Sequence, residues 1–591
     1  MKRLFRYLRP FAGRMSVGLT IKIAGTLVEL ALPYILGMIL NDIIEEFAQT
    51  KDTDGGLTSI LLWGGVMAVC AVAALVFNIV ANRMAAHVAK DAATSIRHDL
   101  FDATMRLSCA KADAFTVPSL ESRLTSDTYN VHHMVGMMQR LGVRAPILLA
   151  GGLFITLALD PVLTLVMFSV MPLIVLTVWF ISKRGVPLYR RSQESGDAMV
   201  RVVREDAQGI RIIKALSRKE YEQGRFELVN RNLEHDGLMA AANMAVSNPL
   251  INLLLNLGLV AVLVVGAIRV NSGDCYPGTI ISFIQYFTVL SNALLSITRI
   301  FMMFTKGAAS MNRICEVLDA ASSDTDEAGS QGGTALPPSD DRYIAFENVS
   351  FSYRGKANNL TSISFRLPRG GTLGIIGATG SGKTTLLSLL MRFYQVPVGS
   401  GTIRIDGRDI RTMTPAELRL KFGVAMQNDF LFAGTIEDNI RFGRELSHEQ
   451  VVRAATMAQA HEFISKLDEG YGHKLTVKGT NLSGGQKQRL LIARALAGEP
   501  EILVLDDASS ALDYRTDAAL RKALREDGET RAHVTTTVIV AQRVSSIKHA
   551  DLILVLDQGE IIGCGTHEEL QASCAVYGEI AESQMGGAIL E

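Results

Sequence analysis

Aromatic side chains are scarce in this chain: 2 Trp, 13 Tyr and 23 Phe make up 6% of 591 residues, although 48% of the residues are hydrophobic. The apolar content is therefore aliphatic and gathered into long runs, which argues against a uniformly greasy soluble protein. Net charge is missing too. Lys and Arg total 59 and Asp and Glu total 59, so no global field draws the chain to nucleic acid, and no nucleic-acid partner is expected. The six cysteines, Cys70, Cys109, Cys275, Cys315, Cys564 and Cys574, show no C-x-x-C or His-rich spacing. That argues against a zinc site or a disulfide framework and fits reduced thiols. The opening MKRLFRYLRPFAGR has no signal-peptide apolar core or cleavage site before the first long apolar run. Its alternation of basic and apolar residues reads as an interfacial helix.

What is present is length and two contrasting halves. A chain of 591 residues exceeds one core, and two or more domains are expected. Six apolar stretches, 18–40, 57–81, 141–159, 162–181, 250–270 and 280–304, are each long enough to cross a bilayer, which takes about 20 helical residues. Almost free of charge, they read as membrane spans rather than buried soluble helices. Arg3, Arg6, Arg9 and Arg14 precede the first span, whereas Asp42, Glu45, Glu46, Asp52 and Asp54 follow it with Lys51 alone opposing them. The excess of cations places the amino terminus in the cytoplasm of a multi-pass cell-membrane protein. The segments after the second and fourth spans are long and rich in helix formers, so those spans are expected to continue as helices into the cytoplasm.

Lys22 and Glu29 fall inside the first span, where an ionisable residue costs about 2.5 kcal/mol or more at the bilayer centre. Glu29 either faces a cationic substrate in a water-filled path or pairs with a neighbour in the bundle, while Lys22 snorkels to the interface. Arg299 in the last span is equally open. Residues 301–304, FMMF, suit an adaptable apolar pocket or plain packing. Residues 320–342 are small, polar and rich in Gly, Pro and Ser, a linker composition that cannot bury a core. The expected division is 1–319, membrane domain; 320–342, linker; 343–591, a second domain.

From Tyr343 short β-branched strands alternate with helices, the pattern of a parallel α/β sheet. A strand at 372–376 runs into GATGSGKTT, a match to the P-loop G-x-x-x-x-G-K-[ST]. Gly377, Thr379, Gly380, Ser381 and Gly382 let backbone N–H groups wrap phosphates at a helix amino terminus. Lys383 reaches the outer phosphates, and Thr384, followed by Thr385, offers a hydroxyl to Mg2+. A second strand at 502–505 ends in Asp506 and Asp507, and Asp506 is placed to hold the metal shell. ATP and Mg2+ are the expected cofactors.

LSGGQ at residues 482–486, with the P-loop and the strand-end Asp506, makes the chain resemble the ATP-binding cassette (ABC) proteins, and six spans before one cassette resemble an exporter-type half-transporter. The fold class implied is an all-α six-helix transmembrane domain followed by an α/β P-loop nucleotide-binding domain. The resemblance implies that Tyr353 stacks on adenine and that Gln427 touches Mg2+ and faces the membrane domain. Ser483, Gly484, Gly485 and Gln486 would grip a nucleotide held by a second subunit, and residues 510–513 would cross the dimer interface. Helices near 108–115 and 209–216 would be couplers between cassette and spans. Against the family pattern, Asp507 stands where a glutamate acts on the attacking water, and Gln542 where a histidine contacts the γ-phosphate. Asp507 lacks one methylene and Gln542 cannot become a cation, so this nucleotide site is expected to be slow. The expected partner is a second, non-identical half-transporter carrying the glutamate and histidine, and the expected cargo a small amphipathic drug, lipid or peptide, exported through surrounding membrane lipid. The alternatives are a homodimeric exporter, an importer of a metal chelate with exporter architecture, and an ATP-gated regulator or channel.

Overall fold

The computed structural model describes residues 2–43, 53–327, 342–353, 355, 358–427, 429–508, 510–530 and 535–586. The acidic side chains expected after the first span and most of the expected linker, 328–341, lie outside the described residues. By packing, the chain divides into two bodies: Met1–Asp102 with Pro118–Val317, and Ala103–Val117 with Leu318–Glu591.

The first body is all helix. After a short helix, Lys2–Leu8, and a turn at Pro10 come α1 (Ala12–Met38) and α2 (Thr53–Arg106). A small helix, α3 (Cys109–Phe115), belongs to the second body. The bundle continues with α4 (Thr128–Leu159), α5 (Pro161–Ala215), α6 (Lys219–Ala245), α7 (Ser247–Asn271) and α8 (Pro277–Glu327). Among the described residues, six helical stretches are long and apolar enough to span a membrane. At 54 and 55 residues, α2 and α5 are each roughly 80 Å long, far more than the about 30 Å of hydrocarbon. The helices thus continue well beyond their apolar stretches, as their composition predicts.

Local chemistry sets the joints. Asp160 interrupts α4 and α5 in extended backbone, and its carboxylate accepts from Val162 N at 2.8 Å and Leu163 N at 3.0 Å. With Pro161 at the first helical position, this is a strong N-cap. Arg269 Nε donates to the same carboxylate at 2.9 Å. Glycines in α1 admit a close neighbour: a Cβ on Gly25 would lie 2.9 Å from Phe77 Cβ of α2, the small-residue contact common between membrane helices. Helix α8 runs to Glu327, eight residues into the stretch expected as linker. Extending an existing helix costs no new nucleation, and the Ala and Glu of this stretch are good formers.

The two expectations for Glu29 separate here. Glu29 accepts from Arg144, including Arg144 Nε at 3.2 Å, so it pairs within the bundle. Lys22 does not snorkel: it is 4% exposed, and its ammonium donates to Asn78 Oδ1 at 2.7 Å and Asn82 Oδ1 at 3.1 Å. Arg299, Phe301, Met302 and Phe304 are exposed on α8 in the single chain.

The second body holds two main sheets. The first is antiparallel, in the order β2–β1–β4–β5, from β1 (Ile344–Phe351), β2 (Leu360–Leu367), β4 (Thr402–Ile405) and β5 (Arg408–Asp409). The larger has the order β12–β11–β3–β10–β9–β6, from β3 (Thr372–Gly377), β6 (Phe422–Ala425), β9 (Ile502–Asp506), β10 (Thr536–Val540), β11 (Leu552–Asp557) and β12 (Glu560–Gly565). It is parallel except for β12. Two short strands, β7 (Gly434–Thr435) and β8 (Lys474–Leu475), pair separately. The helices α9 (Lys383–Leu390), α10 (Gly484–Leu496) and α11 (Tyr514–Thr530) complete the parts that matter here. Continuous burial along β9 and of Leu386, Leu387, Leu389 and Leu390 in α9 explains their near-uniform apolar sequence, as expected where a parallel sheet is covered on both faces.

Candidate functional site

Four parallel strands of the larger sheet end at one edge, and the candidate residues follow them. β3 enters the glycine loop, β9 ends on Asp506, β10 leads to Gln542 and β6 to Gln427. The register sets these ends level: Val540 pairs with Ile375 and Asp506, and Ala425 with Leu505. Such an edge is where open α/β sheets bind ligands. Thr379, Gly380, Gly382, Lys383, Thr384, Thr385, Gln427, Asp506, Asp507 and Gln542 line one cleft of about 300 Å³ there. Gly377 and Ser381 belong to the same loop without lining the cleft.

The loop needs its glycine before Lys383. Gly382 has φ +102°, and a Cβ there would sit 2.7 Å from Leu360 Cδ2 and 3.0 Å from the Asn359 carbonyl oxygen. Lys383 Nζ donates to the carbonyls of Gly377 at 2.8 Å and Ala378 at 2.7 Å. Burial holds its ammonium below the usual lysine range, while Asp506 and Asp507 pull it upward. The cation thus rests on two loop carbonyls at the start of α9, beside a glycine loop whose amides suit phosphate.

Asp507 is set by its backbone. It takes φ +52°, a left-handed conformation costing on the order of 1–3 kcal/mol for a residue with a side chain. Its N–H donates to Val540 O at 2.9 Å, and Ser510 Oγ donates to its carbonyl at 2.8 Å. Two carboxamides converge on its side chain: Gln542 Nε2 donates to Oδ2 at 2.8 Å and Gln427 Nε2 to the same oxygen at 3.3 Å. Burial pushes the Asp507 carboxyl above the usual range, opposed by hydrogen bonds and Lys383.

Asp506 is raised as well, first by burial and then by the charge of Asp507, with Lys383 and the Thr384 hydroxyl acting the other way. Its Oδ2 is buried without a hydrogen-bond partner among the described residues. Leaving such an acceptor unpaired costs about 1–3 kcal/mol or more. A hard divalent cation with oxygen ligands removes that cost, so the residues present fit Mg2+.

Tyr353 stands at the edge of the cleft. Its hydroxyl donates to Thr385 Oγ1 at 3.3 Å, and its ring meets Phe351 and Tyr394 edge-on at 5.0 and 4.8 Å. At 43% exposure it retains surface for a planar base. Ser483, Gly484, Gly485 and Gln486 do not line this cleft. They open α10 in a capping box, with Gln486 N donating to Ser483 Oγ at 3.3 Å and Ser483 N to Gln486 Oε1 at 2.9 Å. Ser483 and Gly484 are exposed.

Comparison with known proteins agrees with this layout. Residues 15–294 match the ABC transporter transmembrane region and residues 360–510 the ABC transporter family. The uncharacterized ABC transporter ATP-binding protein YfiB of Bacillus subtilis is 34% identical over 588 residues, covering 99% of both chains. The putative ABC transporter ATP-binding protein exp8 of Streptococcus pneumoniae is 31% identical over 587 residues, 99% of this chain and 97% of that one. The chain belongs to the ABC transporter family. A solved bacterial Atm1-family ABC exporter with ATP bound superposes with a TM-score of 0.80 at 25% identity, over 97% of this chain and 98% of the other.

This ABC transporter carries its membrane domain and its ATP-binding domain on one polypeptide, as exporter-type half-transporters do. It is an ATPase that drives export of a substrate across a membrane, and ABC exporters of this fold dimerise. Sequence reasoning missed two contributors to the transporter's site. Asn359 lines the cleft and accepts from Tyr353 N at 3.1 Å, a loop contact with no periodic signal. Tyr394, against Tyr353, donates to Asp113 of α3, a pairing of residues 281 positions apart. The segment near 108–115, expected as a coupler, is helical as α3 within the ATP-binding body. The segment near 209–216 lies at the end of α5, with Ile210, Ile212 and Leu216 exposed.

Proposed function

We propose that this chain is the slow-site half of a heterodimeric exporter of small amphipathic molecules. The observation that carries the reading is the 2.8 Å hydrogen bond from Gln542 to Asp507. A neutral carboxamide, unable to gain or pass on a proton near neutral pH, is bound to a carboxylate one methylene short of glutamate. That carboxylate is occupied by two amides rather than extended toward an attacking water. Lys383 and the loop amides hold the phosphates of ATP, and Tyr353 stacks on its base. Thr384, Asp506 and Gln427 are the residues that would hold Mg2+. When bound, the ion neutralises charge on the β- and γ-phosphate oxygens.

The signature at residues 483–486, with Ser483 and Gly484 exposed, completes a nucleotide site on a second subunit, which supplies the catalytic glutamate and histidine. ATP draws the two cassettes together and biases the spans between inward- and outward-facing states. The amino terminus and the cassette lie in the cytoplasm and the spans in the cell membrane.

ATPase activity of the chain alone and beside a candidate partner, in the same lipid, tests the reading. The expected result is activity only with the partner, lost when the partner's catalytic glutamate is removed and little changed by Asp507→Asn. Brisk turnover by the chain alone, abolished by Asp507→Asn, makes it a homodimer whose aspartate does the chemistry.

A further inference from the structure

The ionisable residues inside the six apolar stretches are mostly of one sign. The stretches 18–40, 57–81, 141–159, 162–181, 250–270 and 280–304 contain Lys22, Glu29, Arg144, Arg269 and Arg299, four cations against one carboxylate. Arg269 is paired with Asp160. Glu29 is taken by Arg144, which removes the one intramembrane group suited to a cationic ligand.

Arg299 is exposed on α8, and the charge of the first and third spans, with Arg140 just before the third, gathers between α1, α2 and α4. Lys22 is 4% exposed, and its ammonium meets the neutral side-chain oxygens of Asn78 and Asn82. The charges acting on it are Arg144, Glu29 and Arg140. Arg140 Nε donates to the carbonyl of Gly136 at 3.1 Å. Lys22, Arg140 and Arg144 less Glu29 leave two positive charges in excess. All lie at the end of the bundle where the first and third spans enter, with Lys22 four and Glu29 eleven residues into the first apolar stretch, or about 6 and 16 Å deep. Ile23, Leu27 and Met138, within two helical turns of these cations in sequence, are exposed.

Charge left in excess at the mouth of these spans, with Lys22 buried and Arg140 and Arg144 partly so, is costly and marks a ligand path by default. We infer that the ligand received between α1, α2 and α4 is an anionic amphiphile, its phosphate, sulfate or carboxylate head meeting Lys22 and Arg140 and its tail the adjoining apolar surface. This deepens the export reading and rests on it. Arg144 with Glu29 fixes the two helices that carry the site, and the asparagines hold the Lys22 ammonium in place.

The test uses the full-length chain with the subunit that completes its dimer, in nanodiscs of zwitterionic phosphatidylcholine. Binding of labelled dodecyl phosphate and of dodecyltrimethylammonium is measured without ATP, and ATP-dependent uptake of each in inverted vesicles. Half-saturation by the phosphate is expected at a concentration about tenfold below that of the ammonium, the worth of roughly one charge-assisted contact. Lys22→Met and Arg140→Gln each remove that preference, and Lys22→Arg retains it. Equal binding of the two probes, or an unchanged preference in both Lys22→Met and Arg140→Gln, overturns the inference. Arg140→Gln serves where Lys22→Met fails to fold, because Arg140 is only partly buried. Displacement of dodecyl phosphate by added phosphatidylglycerol identifies the anion as a lipid headgroup, and its persistence identifies a free amphiphile; both support the site. Anion-selective binding without ATP-dependent uptake sinks the proposed export of amphiphiles and keeps the site. Uptake with no preference for anions does the reverse.

Discussion

Replacing Asp507 by glutamate is the most direct way to ask whether this nucleotide site is slow because its carboxylate stops short. The added methylene extends the side chain by about 1.5 Å. The oxygen that now accepts from Gln542 at 2.8 Å and from Gln427 at 3.3 Å then moves out toward the cleft. A misplacement of 1 Å near reacting atoms costs about 10²-fold, or about 2.7 kcal/mol at 1.36 kcal/mol per tenfold. Asp507→Glu is therefore expected to speed hydrolysis at this site by about 10²-fold. Gln542→His added to it should speed hydrolysis further, because imidazole both contacts phosphate and titrates near neutrality. The gain has a structural cost. Asp507 sits at φ +52°, where Asp is better tolerated than most residues, and the glutamate gives up a charge-assisted hydrogen bond of about 1.5–3 kcal/mol. The assay is single-turnover phosphate release with the partner's catalytic carboxylate removed, so that only this site reports. An unchanged release rate in Asp507→Glu refutes the argument from reach.

Tyr353→Ala should weaken ATP binding by about 1–3 kcal/mol, the worth of a base–aromatic stack, as read by nucleotide titration. Because burial raises the folded pKa of Asp506 and Asp507, their protonated forms are favoured, and the nucleotide-free fold loses that contribution as pH rises through the raised values. Mg2+ needs Asp506 ionised, so Mg2+-dependent ATP affinity is expected to fall as pH drops toward the ordinary aspartate range, and Asp506→Asn to flatten that dependence. Gly382→Ala, with its Cβ 2.7 Å from Leu360 Cδ2 at φ +102°, should abolish ATP binding and lower thermal stability. Asp160→Ala removes a helix cap and the nearer carboxylate of Arg269, leaving Asp274 at 4.0 Å; about 1–3 kcal/mol of stability should be lost, measured by denaturation in detergent.

The spans and the nucleotide cleft were legible because their signals are local. Apolar length marks a span, and glycine spacing followed by Lys383 marks a phosphate loop. Asp506 was found because a β-branched run ends on it. Asn359 and Tyr394 escaped because each acts across a turn or a long loop, where neither strand nor helix period applies. The pairing of Glu29 with Arg144 spans 115 positions, and only the packing of α1 against α4 decides between partner and ligand. The end of α8 was misjudged for another reason: composition at 320–327 favours a linker, but a helix already formed carries through it to Glu327.

Helix α3 has a consequence for the order of assembly during synthesis. Asp113 is made 281 residues before Tyr394, the side chain that binds it. At roughly 5–20 residues per second, that is an interval of about 15–55 s. Throughout it, residues 103–117 have left the ribosome while the surface they join does not yet exist. A nascent transporter therefore carries an unfinished seam, open to proteases and chaperones, until the segment that bears Tyr394 has been made.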